Sequence, residues 1–393
     1  MTTDASTISE KLIQNTLPYL IDGEGGSYFV DPVFNIVRNR VNAEMAKSLF
    51  RMGYTKEARK IIPHLISNQN PDGSWNEIHP NYCQPSALVT SFVADAILVC
   101  DNEGIYSEPV SKGKDYILSQ EDGSGYFVKS KMYTADCLNV NASCGAFLAK
   151  YGSRYDDEEC LNAAYRAFNR VCNLQLTDGS FPYTSDKGSY KYTLDIPCIH
   201  YQGVTLYYLI KINTYLENEE LSDSIRKGVE WLAKQQKKDG RFDWTSSGLL
   251  FASYLSGAYA FAYSCFKYLS DEDSSLNEAA EIALKMIDTN QNNIMYRWEK
   301  DSWNSFPSSL MDSIEISKIG NYPSRHKFFR LAYSVYRNIA RRRIRPKIDD
   351  SIFNIVNIML NLDSSTIEPF NNFPDMFMTS ETLDCLTFTL EGF

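Results

Sequence analysis

Two kinds of helical segment alternate along this chain. Stretches such as Tyr54 to Gln69 and Glu217 to Gln236 space their apolar residues at the helical period and put charges between them, the pattern of a helix with one solvated face. The stretches that follow, among them PSALVTSFVADAILVC, NVNASCGAFLAKYG, YQGVTLYYLIKI and LLFASYLSGAYAFAYSCF, carry few charges and read as helices enclosed on most sides. Between the two kinds lies a recurring turn: NQNPDGSW (Asn68 to Trp75), SQEDGSGYF (Ser119 to Phe127), LQLTDGSFPY (Leu174 to Tyr183) and QQKKDGRFDW (Gln235 to Trp244). A fifth, degenerate copy is IDGEGGSYF, Ile21 to Phe29, and NQNNIMYRW around Gln291 keeps the Gln and the aromatics without Asp-Gly. The glycines Gly23, Gly73, Gly123, Gly179 and Gly240 follow one another at 50, 50, 56 and 61 residues. Glycine supplies the positive φ that ends a helix and reverses the chain. One solvated and one enclosed helix per period predict a double ring, so the fold class is all-α, a single-domain (α/α)6 toroid over residues 1–393. Its repeats start near residues 22, 72, 122, 178, 239 and 291, and a less regular tail follows Arg345.

Composition narrows the partners. With 39 basic against 49 acidic residues the net charge is −10, which argues against nucleic acid, whose binding needs a basic surface. Nine cysteines without a CxxC pair, and an N-terminus without a basic stretch leading an apolar core, predict reduced thiols and a cytoplasmic location. The uncharged run Gly248 to Phe266 is long enough to be tested as a membrane span, but its serines and tyrosines read as a helix buried in a large core. The basic run Arg337, Arg341, Arg342, Arg343, Arg345 and Lys347 is a solvated helix face or, alternatively, a peripheral contact with an anionic membrane. Aromatics, at 13 % of residues, are the unusual feature.

The Q-x-x-D-G-S-[WF] units resemble the repeat of the terpenoid cyclase and protein prenyltransferase superfamily, the squalene-cyclase-like toroids, over five repeats from Ile21 to Trp244. The resemblance implies one cavity rimmed by the starts of the inner helices. Similar units occur in toroids that act on glycans, so the fold leaves the activity open. Within YTADCLNVNASC, Tyr133 to Cys144, Ala135-Asp136-Cys137 resembles the segment carrying the initiating acid of oxidosqualene cyclases. That implies Asp136 as the general acid that protonates a polyprenyl alkene or epoxide, with Cys137 and either Cys198 or His200 tuning it. The alternative role for Asp136 is a helix cap.

Other candidates sit at the inner-helix starts. Arg38, Asn81, Tyr82, Gln84, Tyr133, Asn139, Tyr201 and Gln202 are read as substrate-binding, with Trp244, Phe251 and Tyr254 as ring faces that steady a cation. Polar residues crowd the first inner helix around Asn35, Arg40 and Glu44, and Asp312 and Glu315 are placed on the last. That polarity suits a meroterpenoid or a sugar. The leading expectation is an isoprenoid-type small-molecule substrate and a protonation-initiated terpenoid cyclase. The second is a glycan-active enzyme, a uronate lyase, epimerase or unsaturated-uronyl hydrolase, in which Asp136 and Asp195 are acid/base partners and Arg38 or Arg40 holds a uronate carboxylate. Cys83, Asp136, Cys137, Cys198 and His200 include zinc-ligand types, but no ligand spacing, and no metal or cofactor is expected.

Overall fold

The computed structural model describes residues 4–31, 35–79, 82–101, 103–185, 197–240, 242, 255–289 and 376–393. Among them, outer and inner helices alternate strictly. The outer helices are α1 (Ala5–Thr16), α3 (Thr55–Ser67), α5 (Ser107–Ser119), α7 (Glu158–Asn173), α9 (Glu219–Gln235) and α11 (Ser274–Thr289). The inner ones are α2 (Asn39–Arg51), α4 (Ala87–Cys100), α6 (Leu138–Tyr155), α8 (Ile199–Leu216), α10 (Leu255–Leu269) and α12 (Met376–Glu391). Inner helices pack in the order α2, α4, α6, α8, α10, α12 and back to α2, a closed ring, and α1 covers the outside of α12. Two antiparallel hairpins, β1 (Leu20–Gly23) with β2 (Gly26–Phe29) and β3 (Trp75–His79) with β4 (Tyr82–Ser86), connect outer to inner helices.

Every letter of the repeated turn has a structural task. Asp72 accepts from the backbone and hydroxyl of Ser74, and Asp178 does the same for Ser180, the side-chain turn that aspartate favours. Gln69 donates to the carbonyls of Gly73 and of Pro109 one outer helix further on, and Gln175 donates to Gly179 and Ser224. The aromatic's backbone N–H goes to the next inner helix: Phe29 to Asn42, Trp75 to Thr90, Phe127 to Asn141 and Phe181 to Gln202. Gly73 has φ +87° and lies against the Lys112 backbone, where a Cβ would collide with a carbonyl oxygen. Gly73→Ala is therefore expected to cost about 2–4 kcal/mol of stability, measured by urea unfolding.

Of the tail after Arg345, residues 346–375 lie outside the described residues, and Met376–Glu391 form α12, a 16-residue helix that completes the inner ring beside α2. Nearly every face of it is buried, by α2, α10 and α1, so its sequence lacks the amphipathic stripe that marks a surface helix. The sixth repeat near 291, with Asp312 and Glu315, lies outside the described residues, as does the basic run Arg337 to Lys347. No helix among the described residues is long and apolar enough to cross a membrane. The described part of Gly248 to Phe266 belongs to α10, buried from Ala258 onward.

Candidate active site at the mouth of the inner ring

The hairpins and turns all lead into inner helices, so the N-terminal ends of those helices gather at one end of the ring. Asp136 stands just before α6 and is fully buried. Asn141 donates to its Oδ1 at 2.7 Å, and Arg170 of α7 donates through Nε (3.0 Å) and Nη2 to its Oδ2. The Ser185 hydroxyl donates to the same oxygen. Asn141 is also the acceptor for the Phe127 N–H, so the carboxylate ties an inner helix to an outer helix and a loop. An initiating acid needs an apolar seat, whereas the carboxyl of Asp136 is ringed by an arginine, an asparagine and a serine that donate to it. Asp136 is not a helix cap either: Cys137 holds the N-cap position of α6 and no side chain caps it. Asp136→Asn is expected to lower stability by about 2–4 kcal/mol, read as a lower melting temperature; an unchanged melt would refute the anchoring role. Gln202 is likewise committed behind the ring, to the Phe181 N–H (2.7 Å) and the Gly228 carbonyl (3.1 Å).

Other candidates do come together. The Tyr133 and Tyr183 hydroxyls are 3.2 Å apart, and the Tyr183 and Tyr201 rings lie 4.4 Å centre to centre. Cys137 is buried beside Tyr133 and Tyr183, and burial pushes its thiol up to about 12. Burial raises the Cys198 thiol as well, so neither sulfur is a thiolate. In the next sector His79 stacks on Tyr82 (4.8 Å), Lys129 binds Glu77 (2.9 Å) and lies 5.0 Å from the Tyr133 ring centre, and Arg38 pairs with Asp31 (3.2 Å). Burial, together with Arg38 and Lys129, lowers the His79 pKa to about 4. Gln84 faces Glu77 in the hairpin register. Asn139, on the second residue of α6, is buried, and its Oδ1 has no hydrogen-bond partner among the described residues.

Beneath this wall the ring axis is charged. Arg40 donates to Glu44 (2.8 Å) and to Glu381, and its guanidinium centre lies 4.8 Å from the Phe92 ring and 4.4 Å from that of Phe377. Ser380 donates to the other oxygen of Glu44 (2.6 Å). His200 Nε2 is 3.9 Å from Glu381 Oε2. Burial and then the Arg40 charge lower the His200 pKa to about 3, so the imidazole is neutral at pH 7. Deeper, Lys47 bridges Asp95 (3.0 Å) and Asp384 (3.1 Å), Lys150 binds Asp95 (2.8 Å), and Arg51 binds Asp384 (2.8 Å). Sequence reasoning missed Glu381, Asp384 and this deeper group. The available signal was charge inside otherwise apolar helices: Asp95, Lys150 and Lys211 each interrupt a run that would pass for plain core.

Asn81, Asp195, Trp244, Phe251 and Tyr254 lie outside the described residues. Among the described residues no three His, Cys, Asp or Glu side chains are grouped as a metal ion would need. The sequence matches no protein-family model and no curated protein. Solved structures do match. The fold is that of the (α/α)6 toroids. An unsaturated glucuronyl hydrolase specific for heparin aligns with 14 % identity and a TM-score of 0.51 over 74 % of this chain and 82 % of that one. An inactive variant of an α-1,6-mannanase of Salegentibacter, in complex with α-1,6-mannotriose, aligns with 12 % identity and a TM-score of 0.55 over 75 % and 88 %. The type II terpene cyclase MstE from Scytonema, in complex with geranylgeranyl dihydroxybenzoate, aligns with 13 % identity and a TM-score of 0.50 over 73 % and 80 %. At such identities the likeness establishes the toroid and leaves the chemistry to the site.

Proposed function

We propose that the chain is an enzyme acting on a polar, glycan-type substrate at the mouth of the inner ring, with His200 and Glu381 moving the proton. The observation that carries this reading is the Arg40, Glu44 and Glu381 group directly beneath the tyrosine wall. A hydrocarbon laid along this axis would rest on buried charges and bury them further at a cost. A sugar presents hydroxyls to carboxylates and flat C–H faces to rings such as Tyr133, Tyr183 and Tyr201. His200 is neutral at pH 7, so its ring nitrogen is open to a proton in the reaction, and Nε2 lies 3.9 Å from the Glu381 carboxylate, its proposed partner in the transfer. Arg38, 11 % exposed, is placed to trade Asp31 for a substrate carboxylate, and the open acceptor on Asn139 suits a hydroxyl donor. All nine cysteines are free thiols, which fits the reducing cytoplasm.

The polyprenyl-cyclase reading has the MstE likeness and the aromatic content in its favour, but it depends on Asp136 as the acid. The donors around Asp136, Arg170 among them, favour an anchoring role for it over that one. To decide between the two, the purified protein is offered unsaturated uronyl oligosaccharides, α-mannan fragments and polyprenyl substrates with a polar head group. Turnover of a glycan, abolished in His200→Gln with the melting temperature kept, is the expected result. Turnover of the polyprenyl substrates alone would overturn the proposal.

A further inference from the structure

The charge cluster at the opposite end of the ring takes no part in that reading. Lys47 and Arg51 of α2, Lys150 of α6 and Lys211 of α8 bring four cationic groups onto two buried carboxylates, Asp95 of α4 and Asp384 of α12. Glu391, 47 % exposed, pairs with Arg51 alone (2.8 Å), and Glu44 is held further up by Arg40 and Ser380. Lys211 has the poorest share. Its contact is 3.4 Å, to an Asp95 oxygen that Lys47 already holds at 3.0 Å. Around it stand ring faces, with Tyr207, Tyr208 and Phe388 centred 5.2, 5.5 and 5.1 Å from its Nζ. An ammonium crowded by cations on a desolvated seat gives up its proton readily.

We infer that Lys211 is a carbamylation site, whose free amine adds to dissolved carbon dioxide and whose carbamate is held by Lys47, Lys150 and Arg51. The nitrogen lone pair forms an N–C bond to the carbon of CO2, one C=O π pair moves onto oxygen, and the nitrogen releases one proton to solvent: R–NH2 + CO2 → R–NHCOO⁻ + H⁺. No electron is gained or lost. Counting the proton that the ammonium first gives up to form the free amine, two protons leave in all and one of the four cations becomes an anion, so that three cations face three anions. Carbon dioxide is small and uncharged, and so can reach a side chain only 7 % exposed. Burial lowers the Lys211 pKa to about 8, against the partial offset of Asp95 and with help from Lys47 and Arg51. At about pH 7.5 roughly a quarter of this amine is then free, against about one in a thousand for an ordinary lysine.

The test uses the intact protein equilibrated with ¹³C-bicarbonate at about pH 7.5–8, O-alkylated with triethyloxonium to fix any carbamate, and mapped by peptide mass spectrometry. The expected result is a trapped carbamate on Lys211 in large excess over every surface lysine. Its absence from Lys211 of the folded wild type, or equal labelling of surface lysines, overturns the assignment, whatever the fate of variants. Lys150→Met keeps the amine but removes one cation beside the carbamate, and should lower occupancy at least about threefold. Unchanged occupancy would show that these cations do not hold it. Neither outcome depends on the substrate proposed for the mouth.

Discussion

Replacing Asp384 with alanine is expected to cost about 3–5 kcal/mol, the range for leaving a buried cation without its partner. Three donors converge on this carboxylate: Lys47 at 3.1 Å, Arg51 at 2.8 Å and the Tyr207 hydroxyl at 3.2 Å. Lys47 is fully buried, and its other partner, Asp95, already serves Lys150 and Lys211. The damage falls where the last inner helix meets the first, so the ring is weakened at the junction of α12 with α2. Lys47, Lys211 and Arg51 hold the Asp384 carboxyl far below its usual range although burial opposes them. For an acid with a depressed pKa the contribution is full above the unfolded value and fades as pH falls below about 4. The gap between wild type and Asp384→Ala in urea unfolding should therefore be constant at neutral pH and narrow in acid. The pair Lys47→Met with Asp384→Leu should recover at least about 1 kcal/mol of the single loss, because neither charge is then stranded. A loss below about 1 kcal/mol for Asp384→Ala would refute its part in the junction.

The charges along the axis follow a physical rule that no single position reveals. Near the N-terminal ends of the inner helices Glu44 and Glu381 outnumber Arg40, and towards the C-terminal ends four cations outnumber Asp95 and Asp384. Parallel inner helices add their dipoles, positive at the mouth and negative at the far end, and each surplus opposes the nearby pole. The buried charges thus stabilise the ring and also set the protonation state of the mouth, since Arg40 is one cause of the lowered His200 pKa.

Much of the fold was legible because the alternation of solvated and enclosed helices is written in the placement of charge, and because the turn repeats. The site was less so, and Asp136 illustrates why. Its dipeptide with Cys137 looks like chemistry, but its meaning depends on Arg170, 34 residues away on an outer helix, which no local pattern announces. Gln202 misled for the same reason: a polar residue at an inner-helix start can face the cavity or hold the preceding turn, and both look alike in sequence. Glu381 escaped notice because no Asp-Gly turn stands before α12 to mark it as an inner helix.

Glu381→Gln should lower kcat by about 10²–10⁴ on whichever glycan the wild type turns over, the range expected on losing one member of a proton-transfer pair. The amide keeps the shape and still accepts from Arg40, so KM should stay within about threefold, the pattern of an interaction made mainly in the transition state. Arg38→Met should do the reverse, raising KM about tenfold or more on a carboxylate-bearing substrate and leaving kcat nearly unchanged. The pH profile checks the base. With the His200 pKa lowered to about 3 by burial and Arg40, the free enzyme's rate should show no acid limb near the ordinary histidine value of about 6.5 and stay level from about pH 5 to 7. A limb near 6.5, or a Glu381→Gln enzyme retaining more than about a third of its kcat, would take the proton transfer away from this pair.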